Sequence, residues 1–420
     1  MKVLLLNTHD GGGGAALAAR RLLQGLRSTG MDASLMVQNK RSSSVDDVYG
    51  SGLIDNPRYG RVRHILDNLA LRAYPRREHA PFSASWLPDG KARLVRRLRP
   101  DIVNLHWVTG AMFQIESLAK LGRPVVWSLH DAWPFTGGCH VPDFSDCRRF
   151  EEQCGCCPLL QSNTAEDLSR RVWRRKHKTW QKMRMAFVAP SRWLAEQASA
   201  SSLLGDCRIE VIPNALDTQV YYPMEKLLAR QSLGLPSHAQ TILFPVYDSP
   251  MEAQYKGQDL LFESLRYINT RMNEKRLTFV HFGSRDKSYI PDIGAPSINL
   301  GRLQLDTELV TAYSAADLFL LGSRSETMSY LIAESMSCGT PAVAFAVGGI
   351  PDLIRSHCNG ILIPPFEIES FGIEVINLLN SPDNLSSYSD QARQSIVEDL
   401  DSQSVARRYS HLFNTLLSRC

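Results

Sequence analysis

The chain has 420 residues, enough for two or three domains that each bury a core. Its 44% apolar and 21% charged residues are the balance of a globular chain and argue against a disordered or fibrous one, and a net charge of +4 is too mild to imply nucleic-acid binding by itself. No apolar run approaches the roughly 18 residues of a membrane span, and the N-terminal apolar run, residues 3–6, is too short for a secretory leader. The expectation is a cytoplasmic protein, at the inner face of the plasma membrane if it meets a membrane. Nine cysteines, an odd number in a large chain, point to reduced thiols, some of them on metal, rather than a disulfide framework.

In chain order, residues 2–7 read as a buried strand. Gly11, Gly12, Gly13 and Gly14 follow, then an amphipathic helix over 15–27 and a second strand over 33–37. Glycine lets a backbone approach a phosphate or sugar without a Cβ in the way, although a plain strand-to-helix connection would look the same. Residues 42–90 are polar and irregular, except that 58–72 has the pattern of a basic amphipathic helix. Its cations are Arg58, Arg61, Arg63 and Arg72, and its apolar residues are Val62, Ile65, Leu66, Leu69 and Leu71. Such a helix suits either acidic lipid headgroups or an ordinary surface. After a helix over 91–98, strands over 102–105 and 124–129 end in His106-Trp107 and His130-Asp131. Polar side chains at the carboxyl ends of parallel strands stand where open α/β sheets bind ligands.

Five cysteines then fall within 19 residues: Cys139, Cys147, Cys154, Cys156 and Cys157. Cys154 and Cys157 make a C-x-x-C pair, and Cys139 with Cys147 can supply the other half of a tetrahedral structural zinc site. A redox pair, an iron–sulfur cluster and a loop of unliganded thiols are the alternatives. Residues 170–184 hold eight Lys and Arg with Trp173 and Trp180 among them. They read as a surface helix with inward tryptophans, as a face for anionic lipid, or, less readily, as a nucleic-acid contact. Strands over 187–190 and 210–213 close the first half, and a strand over 241–246 opens the second.

Residues 323–351 are the most informative stretch. A strand over 317–321 leads into a polar turn, a helix over about 328–337, Gly339 at its end, Pro341, a strand over 342–347 and Gly348-Gly349. Glu326 lies in the turn and Glu334 within the helix. A helix N-terminus suits a phosphate, a carboxylate along the helix suits two ribose hydroxyls, and the carboxylate before it suits a sugar hydroxyl. Taken singly, Glu326 reads as a cap and Glu334 as a solvated helix residue.

The segment E-T-M-S-Y-L-I-A-E, followed by C-G-T-P and G-G-I-P, resembles the signature of the retaining glycosyltransferases of family four. Thr327-Met328-Ser329 replaces that family's usual Gly-Phe-Gly. The resemblance implies a GT-B-like α/β fold, two doubly wound Rossmann-like domains facing a cleft. One would span 1–214 plus a C-terminal helix over about 401–420 and bind the acceptor; the other would span 215–400 and bind a nucleoside-diphosphate sugar. It implies that His130 and Glu326 are catalytic and position the donor sugar. Gly13, Gly14, Lys256, Met328, Ser329 and Glu334 would hold the donor. In the family an Arg shares the diphosphate with the Lys of K-G; here Tyr247-Asp248-Ser249 stands in its place, and Arg285 is a candidate substitute. No catalytic metal is required. Cys139, Cys147, Cys154 and Cys157 are the candidate zinc ligands, and T-G-x-C with C-x-x-C-P is similar to exopolysaccharide-building members. The function implied is transfer to a glycan or lipid-linked acceptor in surface polysaccharide synthesis, with peripheral membrane contact and no nucleic acid. The alternatives are a sugar-nucleotide epimerase or hydrolase of the same fold, or a non-catalytic zinc- and nucleic-acid-binding protein.

Overall fold

A computed structural model describes residues 1–40, 48–50, 57–141, 146–272, 277–286 and 288–418, with the side chains of 48 and 57–59 outside the description. The chain divides into two compact units, Met1–Ala215 with Ser402–Cys420, and Leu216–Asp401.

The strands of the first unit are β1 (Lys2–His9), β2 (Asp32–Asn39), β3 (Val48–Gly50), β4 (Ile102–Leu105), β5 (Val125–Ser128), β6 (Met185–Ala189) and β7 (Arg208–Val211). Runs such as Val3–Leu6 are buried on both faces, as a parallel sheet covered by helices demands. The order is β3-β2-β1-β4-β5-β6-β7, and all pairs are parallel. The winding reverses between β1 and β4, so this unit opens its binding crevice at their carboxyl ends. The glycine loop leads into the helix Gly14–Ser28, whose Leu22, Leu23 and Leu26 share a core with Tyr409 and Phe413 of the last helix, Ser402–Ser418. A Cβ on Gly25 would stand 2.6 Å from the Ser402 carbonyl oxygen, so glycine lets these helices touch.

The second unit repeats the plan with β8 (Gln240–Pro245), β9 (Leu277–Phe282), β10 (Ser297–Asn299), β11 (Leu318–Leu321), β12 (Ala342–Phe345) and β13 (Gly360–Ile363). The order is β10-β9-β8-β11-β12-β13, again wholly parallel. Here the winding reverses between β8 and β11, which directs attention to the loops that follow those two strands.

One expectation needs revision, and one set of alternatives narrows to the helix with inward tryptophans. The basic segment 58–72 is an α-helix only over Pro57–Asp67, followed by a 3-10 helix, Asn68–Ala73. Leu71 is buried, whereas Val62, Ile65, Leu66 and Leu69 are exposed; the Arg58 side chain lies outside the described residues. The tryptophan-bearing segment is a helix, Leu168–Trp180, started by Asp167, whose carboxylate accepts from the Arg170 amide at 3.1 Å. Trp180 is 3% exposed and packs edge-on to Trp127 with ring centroids 5.3 Å apart. Arg175 forks onto Glu116 at 2.7 and 2.8 Å and Arg174 onto Glu166, while Lys176 is fully buried. Val172, Lys176, Thr179 and Trp180 share the buried face, so these residues tie the first unit together instead of presenting an interfacial tryptophan belt.

Candidate active site

In the second unit, Lys256 and Glu326 arrive from loops after β8 and β11 and meet. The Lys256 ammonium donates to Glu326 Oε1 at 2.8 Å, and the Ser323 hydroxyl donates to the same oxygen at 3.0 Å. Three contacts fix this pairing. Gly257 has φ +57°, and a Cβ there would lie 1.9 Å from the Gly322 carbonyl oxygen, so the two loops touch backbone to backbone. Arg324 holds Asp259 through two bonds of 2.6 Å and the Gln254 carbonyl at 2.8 Å, bracketing Lys256. Gly349 donates its amide to the Glu326 carbonyl at 2.7 Å. Glu326 is 8% exposed and is not the helix cap; Ser329 is, accepting from the Ile332 amide at 3.5 Å.

The helix that follows is Tyr330–Ser337, so it starts two residues later than the sequence pattern suggests. Ser329 takes the cap position because its hydroxyl replaces a missing main-chain partner, and Met328 precedes the helix. Both side chains are buried, leaving this turn to meet a ligand through its backbone. Glu334 is 2% exposed, which rules out a solvated helix residue. The Tyr313 hydroxyl donates to its Oε2 at 3.2 Å, and burial, then the Glu334 charge, pushes the Tyr313 phenol well above its ordinary range.

Tyr247, standing where the resemblance expects an Arg, has a buried hydroxyl with no hydrogen-bond partner among the described residues. Burial, then the charge of Glu326, pushes its phenol well above the ordinary range and keeps it neutral. Arg285 stands after β9 with its side chain 75% exposed, and its amide donates to the Asp248 carboxylate at 3.2 Å. It is at the right end of the sheet but does not join the Lys256–Glu326 pair.

The first unit gathers a second polar cluster. Asn104 donates its amide NH2 to the Val126 carbonyl and to Ser128 Oγ, both at 3.0 Å, so its Oδ1 is an acceptor. His106 Nε2 lies 3.0 Å from that Oδ1, and His106 Nδ1 lies 2.8 Å from His130 Nε2. Burial holds both rings neutral, His130 down to about 4 and His106 well below its ordinary value. The proton order follows: His106 Nε2–H donates to Asn104, its bare Nδ1 accepts from His130 Nε2–H, and His130 Nδ1 is left as an acceptor. Tyr409 on the last helix joins the chain through Ser128 at 2.8 Å. Beside it, Asp131 accepts from Trp107 Nε1 at 2.8 Å and faces His140 Nδ1 at 2.6 Å. The His-Asp ending of β5 hinted at this cluster, but nothing local in the sequence pointed to Asn104 or His140. Gly13 and Gly14 open the helix after β1 with no side-chain cap, and a Cβ on either would meet nothing within 4 Å.

Cys139, Cys154 and Cys157 are buried free thiols, and Cys147 is half-buried. Among the described residues no group of three or more His, Cys, Asp or Glu side chains is placed to hold a metal ion, so the structure as it stands does not show the expected zinc site.

The model of glycosyltransferase family 4 matches residues 12–220, and that of glycosyl transferases group 1 matches residues 246–381. The chain belongs to glycosyltransferase family 4. Curated relatives agree: a D-inositol 3-phosphate glycosyltransferase of Segniliparus rotundus is 29% identical over 188 residues, 42% of this chain and 40% of that protein. The sulfoquinovosyl transferase SQD2 of Arabidopsis thaliana is 32% identical over 298 residues, 68% of this chain and 51% of that protein. The chain thus spans about half or less of these relatives' length. Among solved structures, Anabaena Alr3699/HepE in complex with UDP and glucose superposes with a TM-score of 0.68 at 16% identity, over 99% of this chain and 100% of that one. This likeness shows a shared fold, the GT-B fold of two parallel-sheet α/β units. In family-four terms, the two signature carboxylates are Glu326, already on a cation, and Glu334, buried on a tyrosine.

Proposed function

We propose that this chain is a retaining glycosyltransferase that moves a sugar from a nucleoside-diphosphate sugar to a glycan or lipid-linked acceptor in surface polysaccharide synthesis. The observation that carries the reading is the Lys256–Glu326 pair at the winding reversal of the second unit, with buried Glu334 in the next helix. Lys256 and the backbone ahead of Tyr330 offset the charge of the departing diphosphate, so the step requires no catalytic metal. Glu334 holds ribose hydroxyls, and Glu326 orients the sugar. His130 offers Nδ1 as an acceptor to a sugar hydroxyl. The acceptor oxygen attacks on the face from which the diphosphate leaves. HepE was crystallised with UDP-glucose, which supports a uridine donor here.

The same reading includes peripheral contact with an anionic membrane. Val62, Ile65, Leu66 and Leu69 stand exposed along one helical stretch beside exposed Arg61 and Arg72, which supports lipid contact there rather than at Leu168–Trp180. The internal pairing of Arg174 and Arg175 argues against a nucleic-acid surface on the latter helix.

The test is calorimetric titration with UDP, GDP, ADP and CMP on wild type and Glu334→Ala. One nucleotide binding in the micromolar range, weakened about tenfold (about 1.4 kcal/mol) in the variant, is the expected result. Binding by none of them overturns the reading. Donor consumed with no acceptor present would instead favour an epimerase or hydrolase.

A further inference from the structure

Four of the five clustered thiols converge. Cys139, Cys147, Cys154 and Cys157 line one void of about 10 Å³, with Phe82 and Phe150 as apolar wall. They come from three pieces of chain. Cys139 bridges to Phe82, Cys147 precedes a 3-10 turn at Arg149–Glu151, and Cys154 and Cys157 flank a tight turn. That turn has Gly155 at φ +141° and Cys156 at φ +45°, so a C-x-x-C pair points both its outer thiols to one side while Cys156 does not line the void. Asp167 fixes the turn by accepting the Cys157 amide at 2.8 Å. All are free thiols, and no disulfide links them.

Two neighbours are unexplained by neutral thiols. The Gly137 amide donates to Cys154 Sγ at 3.1 Å, a bond that a thiol accepts weakly and a metal-bound thiolate accepts well. A Cβ on Gly137 would stand 2.6 Å from Cys154 Cβ, so glycine is what permits that approach. Lys176 is fully buried, and its ammonium meets only the carbonyls of Trp133 and Thr136 and the Trp133 ring, 3.6 Å from its centroid. No carboxylate bonds to it among the described residues. A buried cation without a counter-charge is costly. Burial pulls its amine down toward neutrality. The Thr136 carbonyl that it holds belongs to the same peptide unit whose Gly137 amide donates to Cys154 Sγ, which places the amine beside the thiols. Zn²⁺ on four thiolates carries two net negative charges, and Lys176 stands where it offsets them.

We propose that Cys139, Cys147, Cys154 and Cys157 bind one structural zinc ion in the first unit, with Lys176 as its buried counter-charge and Gly137 as its backbone hydrogen-bond donor. The thiols surround the void without yet being drawn to bonding distance. Binding rotates them inward to zinc–sulfur bonds of about 2.3 Å and releases their protons to solvent. The ion staples three pieces of the segment between β5 and the helix Leu168–Trp180 to one another. It stands apart from the sugar-transfer reading and would survive that reading's failure.

The experiment is metal analysis of the full chain, purified untagged under reducing conditions without chelator, before and after incubation with zinc chloride. One zinc per chain is expected, with four sulfur neighbours in its X-ray absorption spectrum. Cys154→Ser and Cys157→Ser should lose the metal, whereas Cys156→Ser, one position away, should keep it. If the first two variants fail to fold, wild type and Cys156→Ser still decide. A wild-type chain that takes up no zinc, that holds iron with visible absorption, or that shows a Cys139, Cys147, Cys154 or Cys157 disulfide by mass spectrometry overturns the proposal, as does loss of zinc in Cys156→Ser.

Discussion

The Lys256 ammonium and Glu326 Oε1 lie 2.8 Å apart, although 70 residues separate them in sequence. The pair makes each a partner of the other before any ligand enters. Under the proposed function an incoming diphosphate would compete with Glu326 for Lys256, and the carboxylate it releases would be free to take a sugar hydroxyl. Replacing Lys256 with Ala should lower turnover of the nucleotide sugar by about 10² to 10³, the usual cost of one electrostatic donor. Steady-state kinetics would check this, and an unchanged kcat in Lys256→Ala would remove Lys256 from the diphosphate site.

Tyr313→Phe deletes the hydroxyl that donates to buried Glu334. A hydrogen bond to a buried charged group is worth about 1.5–3 kcal/mol, so stability should fall by that order in urea denaturation. Nucleotide affinity should fall as well if Glu334 holds the ribose as proposed, because the carboxylate loses one of the bonds that orient it.

Gly348 has φ +54°, and a Cβ there would sit 2.1 Å from the Glu326 carbonyl oxygen. Gly348→Ala must therefore move the Glu326 backbone. A loss of more than about 2 kcal/mol in stability together with lost donor turnover is expected. Thermal melts and activity assays on the same preparation would show whether both follow.

Acid should weaken the first unit through its histidines. His130 titrates near 4 and His106 well below its ordinary value when folded, because burial disfavours their charged forms. The unfolded chain binds those protons near pH 6.5. The stability they contribute is thus fully present above about pH 6.5 and is lost as pH falls toward about 4. Denaturation midpoints measured from pH 7.5 to 5 should decline, and His106→Gln with His130→Gln should flatten that decline.

The exposed Val62, Ile65, Leu66 and Leu69 give the membrane reading its own test. Wild type should sediment with vesicles rich in phosphatidylglycerol and detach as salt rises. The pair Ile65→Glu and Leu66→Glu should abolish sedimentation while leaving the melting temperature within about 2 °C, since exposed substitutions cost little.

Much of the fold was legible because parallel strands buried on both faces announce themselves as short apolar runs. The strands over 102–105, 124–129 and 317–321 fall within one residue of where the pattern put them. Helix starts were less legible: Ser329 caps the helix before Tyr330, a hydrogen bond that hydrophobic periodicity does not encode. The tryptophan-bearing helix stayed open between inward tryptophans and a lipid face because composition counts cations without saying which face they occupy. Its Lys176 and Trp180 point into the core, and Arg175 is spent on Glu116.

By itself the sequence determined the chemistry available: two carboxylates with seven residues between them, a K-G loop, histidines at strand ends and five clustered thiols. It could do so because residue type and local spacing are written in the chain. Only the tertiary structure decided which of these groups meet. Lys256 joins Glu326, Asn104 sets the proton order of His106 and His130 across neighbouring strands, and three separate pieces of chain bring four thiols to one void. The histidine chain depends on strand order, and the other two pairings on close backbone approaches at Gly257 and Gly137; these are properties of packing rather than of any one residue's type.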